Sequence, residues 1–170
     1  MKDVLIIMGS DSDLPTMKEA AMVLDNMGIT YKLTIVSAHR TPKRMYEAAQ
    51  NARKDGYKCI IAGAGGAAHL PGMTASLTEL PVIGVPIKSS TMSGTDSLYS
   101  IVQMPPGIPV GTMAINGAKN AGLYAAKIVA QSKPALWNEI SKFMKEMEDT
   151  VLEKASDLEA KGFQKYLNQQ

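Results

Sequence analysis

Short apolar runs alternate with longer helix-like stretches through the first 130 residues of the chain. The runs are rich in β-branched residues and almost free of polar ones, which is typical of strands buried on both faces. Their alternation with helices predicts an α/β protein in which helices cover both faces of a parallel sheet. We expect five strands, at residues 4–8, 32–36, 59–62, 81–85 and, more weakly, 108–112.

Residues between the predicted strands carry the start and stop signals of helices. Asp13 is placed to cap a first helix, and Gly28 lies just past its end. Pro42 opens a second helix that runs toward Gly56, and an alanine-rich helix spans residues 116–130. The unit is therefore doubly wound. In such folds ligands bind outside the carboxyl ends of the strands, near the point where the strand order reverses.

The pattern changes after residue 133. Residues 134–170 form a long stretch whose apolar side chains recur at helical spacing. We therefore divide the chain into a main α/β domain, residues 1–133, and a C-terminal helical arm, residues 134–170. The apolar stripe requires a partner surface, so the arm packs either on the core of its own subunit or across a subunit interface. The stripe comprises Leu136, Ile140, Phe143, Met147 and Val151.

Charge and composition exclude several classes of protein. The formal net charge is only +2, and the basic residues are not concentrated in one stripe, so we expect a small ligand and no nucleic-acid partner. The single cysteine, Cys59, excludes an intramolecular disulfide. The N-terminal apolar run, residues 4–8, is too short for a signal peptide or for a membrane span, which takes about 20 apolar residues. The sequence therefore predicts a cytoplasmic protein with no membrane partner.

Both histidines lie where an apolar run gives way to small residues. His39 is followed by Arg40, and His69 lies in the glycine-rich segment 63–72. Histidine exchanges protons near neutral pH, so we expect chemistry at these strand ends. Arg40 is suited to a phosphate or carboxylate of the ligand, while His39 reaches the reacting atoms. The alternative is a surface turn in which Thr41 caps the next helix, and it leaves His39 and Arg40 unexplained.

A loop rich in hydrogen-bond acceptors, residues 9–13, follows the first predicted strand. The start of the next helix favours an anion there, so the hydroxyls of Ser10 and Ser12 are candidates for binding a phosphate. Arg40 would supply the cation that this acidic loop lacks. Asp13 suits the hydroxyls of a ribose, which donate hydrogen bonds to a carboxylate. Ordinary helix capping by Ser12 or Asp13 is the alternative.

The glycine-rich segment loosely matches a dinucleotide-binding pattern, which raises a nicotinamide or flavin cofactor. The match is weak, because that pattern belongs after the first strand and is followed, about 20 residues later, by an acidic residue that is missing here. A floor of backbone amides instead indicates a small pocket for a flat ring or a carboxyl group. The two histidines and one cysteine do not have the spacing of metal ligands, so no metal is expected. No serine lies in the Gly-x-Ser-x-Gly elbow of serine hydrolases.

Together, five ordered segments resemble the N5-carboxyaminoimidazole ribonucleotide mutase family of purine biosynthesis. The resemblance runs to about Pro134. It implies a flavodoxin-like three-layer αβα sandwich with a five-stranded parallel sheet and an extra C-terminal helix. It also implies a homo-octamer with active sites between subunits, and no cofactor. The segments are residues 8–13, 37–42, 62–73, 94–100 and 103–110.

The resemblance further implies the activity of an isomerase. Members convert N5-carboxyaminoimidazole ribonucleotide to 4-carboxy-5-aminoimidazole ribonucleotide in IMP biosynthesis, in functional coupling to an ATP-dependent N5-carboxyaminoimidazole ribonucleotide synthetase. His39 is then the catalytic residue, protonating nitrogen as the carbamate leaves and removing the C4 proton after carbon dioxide has added. The predicted substrate-binding residues are Ser10, Ser12, Ser37 and Arg40 at the phosphate, Asp13 at the ribose, and Ala64, Gly65, Gly66, His69 and Leu70 around the base and its carboxyl group.

Alternatives stay open within and outside this family. A related branch carboxylates aminoimidazole ribonucleotide directly with carbon dioxide and lacks the Gly-Gly-Ala-Ala-His-Leu-Pro run. This chain has the run at residues 65–71, which favours the mutase. A non-catalytic nucleotide-binding module, and a flavin or nicotinamide protein, are the alternatives of other classes.

Overall fold

The computed structural model describes residues 2–168. Its centre is a parallel sheet of five strands in the order β2-β1-β3-β4-β5. The strands are β1 Val4–Met8, β2 Tyr31–Ile35, β3 Cys59–Gly65, β4 Val82–Ile87 and β5 Gly111–Thr112. β1 and β4 are buried along their whole length, as their continuous apolar sequences predict. The predicted flavodoxin-like sandwich is confirmed.

Helices cover both faces of the sheet and give the fold three layers. They are α1 Leu14–Asn26, α2 Pro42–Asn51, α3 Leu70–Ala75, α4 Thr95–Val102, α5 Ala118–Ala130, α6 Leu136–Lys161 and α7 Phe163–Leu167. One buried apolar cluster joins α1, α5 and the start of α6 to the sheet. A second cluster joins α2, α3 and α4 to the opposite face. This arrangement leaves the carboxyl edge of the sheet to the connecting loops.

The structure departs from the sequence prediction mainly in the short elements. β3 continues past the predicted end at Ala62 to Gly65, where it still pairs with β4. β5 is shorter than predicted because Pro109 has no N–H to donate to a neighbouring strand. α2 ends at Asn51, before the predicted stop at Gly56. Helices α3 and α4 have no counterpart in the sequence prediction, since α3 is a six-residue helix that begins Leu-Pro-Gly and α4 follows a polar loop.

The long helix α6 packs on its own core only near its start. Ile140 is buried there, and Leu136 and Phe143 are partly buried beside it. Met147 and Val151, on the same stripe, are 49% and 64% exposed. The division into residues 1–133 and 134–170 stays a prediction, and residues 169 and 170 of the arm lie outside the described chain. Within residues 2–168, no helix is both long and apolar enough to cross a membrane.

An ion pair between a buried carboxylate and a half-exposed lysine connects the start of β1 to the residues that follow α5. Lys133 Nζ lies 2.7 and 2.8 Å from the two carboxylate oxygens of Asp3. Thr30 Oγ1 donates a hydrogen bond to the same carboxylate at 2.7 Å. Burial raises the pKa of Asp3, but the hydrogen bonds from Lys133 and Thr30 outweigh burial and hold that pKa below its ordinary value.

We expect Asp3→Asn to lower the free energy of unfolding by about 2 kcal/mol near neutral pH, because the buried carboxylate loses its charge-assisted hydrogen bonds from Lys133 and Thr30. A carboxyl whose pKa is lowered by folding stabilises the protein above its unfolded pKa, ordinarily 3.8, and loses this contribution on protonation. Urea unfolding of the wild type and of Asp3→Asn measures this difference in stability at neutral pH. The difference should disappear at a pH below the pKa of Asp3 in the folded protein.

The matched control is Asp149→Asn, which breaks an exposed ion pair with Lys145 on α6. Its unfolding midpoint should stay close to that of the wild type, because solvent screens both charges. An equal loss of stability in the two variants would contradict a special contribution of the buried Asp3 carboxylate.

Candidate active site

The loops after β1, β2, β3 and β4 enclose a cleft of about 720 Å³ at the carboxyl edge of the sheet. The strand order reverses here, since β2 lies on one side of β1 and β3 on the other. The structure brings together all the residues that the sequence assigned to the site, while their roles stay predictions. Those lining the cleft are His39, Ser10, Ser12, Asp13, Ser37, Arg40, Ala64, Gly65, Gly66, His69 and Leu70.

One wall of the cleft is missing from the sequence prediction. Ile87 ends β4, and Lys88, Ser89 and Ser90 follow it along the cleft. The signal was present, because a polar run begins directly after an apolar strand, as it does at the other loops. Within residues 2–168, no group of three or more His, Cys, Asp or Glu side chains is placed to hold a metal ion.

Reciprocal hydrogen bonds close the loop after β1. Ser12 N–H donates to Ser10 Oγ at 3.3 Å, and Ser10 N–H donates to Asp13 Oδ2 at 3.1 Å. The sequence predicts that Asp13 caps α1. Asp13 does occupy the N-cap position, but its side chain makes no hydrogen bond to that helix and turns back to Ser10. The capping box thus belongs to a short 3-10 turn, Asp11–Asp13, and fixes the serines at the rim of the cleft.

Asp13 is only 7% exposed, although it lines the cleft. Burial raises the pKa of its carboxyl, and this effect outweighs the backbone hydrogen bonds of Ser10 and Gly9 and the charge of Arg40, which lower it. A carboxylate that has lost much of its hydration is stabilised by an added hydroxyl donor. This setting is compatible with the predicted contact between Asp13 and a ribose.

Arg40 joins the loops after β1 and β2. Its Nη2 donates to Gly9 O at 2.8 Å, and its Nε donates to Ser37 Oγ at 3.1 Å. Thr41, which the alternative surface-turn interpretation has capping α2, lies at the N-cap position, but its side chain makes no hydrogen bond to that helix. Its hydroxyl instead accepts from Ser37 N–H and donates to Ser37 O, each at 3.0 Å. These bonds hold the guanidinium beside the serine-rich loop, where a phosphate group would require it.

The two histidines meet, although 30 residues separate them in the chain. His39 Nε2 lies 2.8 Å from His69 Nδ1, and the rings meet edge to face with centroids 4.9 Å apart. A contact of this length requires one nitrogen to carry the hydrogen and the other to accept it. The protonation of one ring therefore sets the tautomer of the other. The sequence treats them as separate groups, whereas the structure makes them a pair.

The glycine-rich loop after β3 is held by α4. Gly66 has φ +69°, a conformation that favours glycine, and its N–H donates to Ser97 Oγ at 2.9 Å. Ser97 is fully buried and donates in turn to Ile87 O at 2.6 Å. The N–H of Gly66 is therefore already bonded, so Gly66 shapes the pocket rather than offering a free donor. Within residues 2–168, the Ala67 N–H has no acceptor, and Ala67 lines the cleft.

Most of the chain matches one protein family. Residues 3–150 match the family model described as AIR carboxylase. The chain belongs to the AIR carboxylase family. The match continues past Pro134, where the resemblance was expected to end, and includes more than half of α6.

Relatives of this AIR carboxylase family member carry two activity names. The chain is 60% identical over 169 residues to the N5-carboxyaminoimidazole ribonucleotide mutase of Thermotoga maritima, covering 99% of each chain. It is 58% identical over 161 residues to the phosphoribosylaminoimidazole carboxylase of Schizosaccharomyces pombe, covering 95% of this chain and 29% of that one. The crystal structure of Treponema denticola PurE superposes with a TM-score of 0.84 at 29% identity, covering 93% of this chain and 99% of that one. The predicted resemblance to the mutases is confirmed.

Proposed function

We propose that this chain is an isomerase that interconverts N5-carboxyaminoimidazole ribonucleotide and 4-carboxy-5-aminoimidazole ribonucleotide in de novo purine biosynthesis. The observation that carries the proposal is the His39–His69 pair, joined at 2.8 Å inside a cleft lined by every predicted substrate-binding residue. The Thermotoga maritima relative, whose match covers 99% of each chain, bears the mutase name. A histidine pair in an amide-lined cleft suits a reaction whose main requirement is to move one proton.

The proposed reaction needs one proton carrier. As the bond between the exocyclic nitrogen and the carboxyl carbon breaks, carbon dioxide is released and His39 gives a proton to that nitrogen. The electron-rich C4 of the aminoimidazole then adds to carbon dioxide and forms the new carbon–carbon bond. His39 removes the C4 proton, which restores the aromatic ring and the starting protonation of the enzyme. Since His39 Nε2 is bonded to His69, Nδ1 is the nitrogen of His39 left for the substrate, and a hydrogen donated by His69 to Nε2 keeps the exchangeable proton of His39 on Nδ1.

The remaining residues bind the two ends of the nucleotide. Ser10, Ser12, Ser37 and Arg40 hold the phosphate at the loops after β1 and β2, with Asp13 at the ribose. Ala64, Gly65 and Leu70 border the base, and the free N–H of Ala67 is the donor best placed for the carboxyl group. A closed pocket around these groups would retain carbon dioxide between the two steps.

Further features implied by the resemblance stay predictions. They are the octamer, the absence of a cofactor, the cytoplasmic location and the functional coupling to an ATP-dependent synthetase that supplies the carbamate. The exposed half of the α6 stripe is a surface that an oligomer would cover.

The second candidate is direct carboxylation, favoured by the name of the Schizosaccharomyces pombe relative. Two parallel assays separate the candidates. We expect wild-type protein to form 4-carboxy-5-aminoimidazole ribonucleotide from the N5-carboxylated nucleotide without ATP or added bicarbonate. Product from aminoimidazole ribonucleotide and bicarbonate alone, with no conversion of the carbamate, would instead identify a carboxylase. Binding of nucleotides with neither reaction and with no exchange of the C4 proton would identify a non-catalytic module.

A further inference from the structure

Lys88 is a positively charged residue of the cleft that has no role in the proposed reaction or in the proposed binding of the phosphate and ribose. It follows Ile87, the last residue of β4, and Ile87 pairs with Gly65 in the neighbouring strand β3. Lys88 thus lies one residue past the last β3–β4 pair, where β3 gives way to the loop proposed to surround the migrating carboxyl group. Lys88 is exposed and lines the cleft. Within residues 2–168, no carboxylate forms an ion pair with it.

The backbone of Lys88 is fixed from two sides. Asn116 Oδ1 accepts from Lys88 N–H at 2.9 Å, and Asn116 N–H donates to Pro86 O at 2.8 Å. Asn116 makes this double contact with a left-handed backbone, φ 58°, a conformation that asparagine adopts more readily than most non-glycine residues. Gly94 packs on the other side, where an added Cβ would lie 3.1 Å from Lys88 Cα. These contacts fix the position of the Lys88 backbone, and therefore the place from which its exposed side chain extends.

Lys88 and Arg40 lie at opposite ends of the cleft. Arg40 follows β2 and Lys88 follows β4, and the sheet order β2-β1-β3-β4 puts three strand spacings, about 14 Å, between these two strands. Arg40 is bonded to the loops that carry the phosphate-binding serines. Lys88 lines the cleft at the end of β4, next to β3, whose loop is proposed to hold the base and its carboxyl group. This charge arrangement matches a ligand with a phosphate at one end and a carboxylate at the other.

We propose that Lys88 binds the carboxylate of the nucleotide and so distinguishes carboxylated from decarboxylated aminoimidazole ribonucleotide. The inference rests on the proposed function, because it takes the identity of the ligand from it. An ammonium group attracts the carboxylate both on the nitrogen and on C4, but gives little to neutral carbon dioxide. Lys88 therefore contributes to binding of both carboxylated nucleotides rather than to the chemical step.

Calorimetric titration with two nucleotides tests the proposal. We expect Lys88→Gln to weaken binding of 4-carboxy-5-aminoimidazole ribonucleotide about tenfold, as for loss of a charge-assisted hydrogen bond. Binding of aminoimidazole ribonucleotide should stay within about twofold of the wild type, since it has the phosphate but no carboxylate. Interconversion during the titration leaves the first ligand carboxylated, so the comparison stays valid. Lys88→Arg should retain most of the affinity, because it keeps the positive charge.

Lys58→Gln is the matched control. It removes the same charge from an exposed lysine that precedes β3, at the opposite edge of the sheet, and should change neither affinity. Equal weakening of both nucleotides by Lys88→Gln would place Lys88 at the phosphate and overturn the proposal, as would unchanged binding of both. Failure of the proposed function is a separate result, because it appears as wild-type protein that converts neither carboxylated nucleotide. Thermal melting of each variant excludes a folding defect.

Discussion

The His39→Asn variant is expected to lose at least about 100-fold in the rate constant of interconversion, the usual contribution of a general acid–base residue. Asparagine has a similar reach and can still hydrogen-bond to His69, but its amide does not exchange protons near neutral pH. Substrate binding should therefore change much less than turnover. Initial rates with each carboxylated nucleotide, in both directions, measure the effect as a fall in kcat with little change in KM.

The same substitution at His69 is the natural comparison. His69→Asn removes the ring that holds His39 in one tautomer, yet leaves the proposed proton carrier in place, so we expect a fall in kcat of about tenfold. We therefore expect kcat to fall further in His39→Asn than in His69→Asn. Near wild-type turnover of His39→Asn would remove His39 from the mechanism. A larger loss at His69 than at His39 would reverse their assignments.

The sheet was predictable because its central strands are buried on both faces. Such strands must be apolar along their whole length, and β1 and β4 are therefore visible in the sequence as uninterrupted runs. Helices α3 and α4 left no comparable signal. Each has too few turns to display a helical period, and their boundaries are set by contacts with β3 and β4 rather than by local sequence.

The membership of the site was also predictable, because it requires only that parallel strands end at the same edge. Its internal geometry was not. The meeting of His39 and His69 depends on β2 and β3 lying on opposite sides of β1, which the sequence of either loop does not specify. The same holds for Asp13 and Thr41, whose side chains serve their own loops instead of the helices that they precede. Local capping rules predict which residues can cap a helix, but tertiary contacts determine which hydrogen bonds their side chains make.

Arg40→Ala is the second variant with a large expected effect. The guanidinium is held by Gly9 O and Ser37 Oγ through Nη2 and Nε. Its Nη1 has no acceptor within residues 2–168, so it is available to a phosphate. Loss of a charge-assisted contact to a dianion should raise KM by about 100-fold. Since the phosphate does not react, kcat should fall much less.

The nucleotide dependence separates this effect from that of Lys88. Every nucleotide of the reaction carries the phosphate, so Arg40→Ala should weaken binding of aminoimidazole ribonucleotide and of its carboxylated forms equally. Lys88→Gln should weaken binding of the carboxylated forms only. Arg40→Lys should recover only part of the loss, because lysine keeps the charge without the planar fork of donors. Arg53→Ala, which removes an exposed arginine paired loosely with Glu79, is the control of equal charge. An unchanged KM in Arg40→Ala would mean that the phosphate is held elsewhere, and the cleft would then have to bind the nucleotide in the opposite direction.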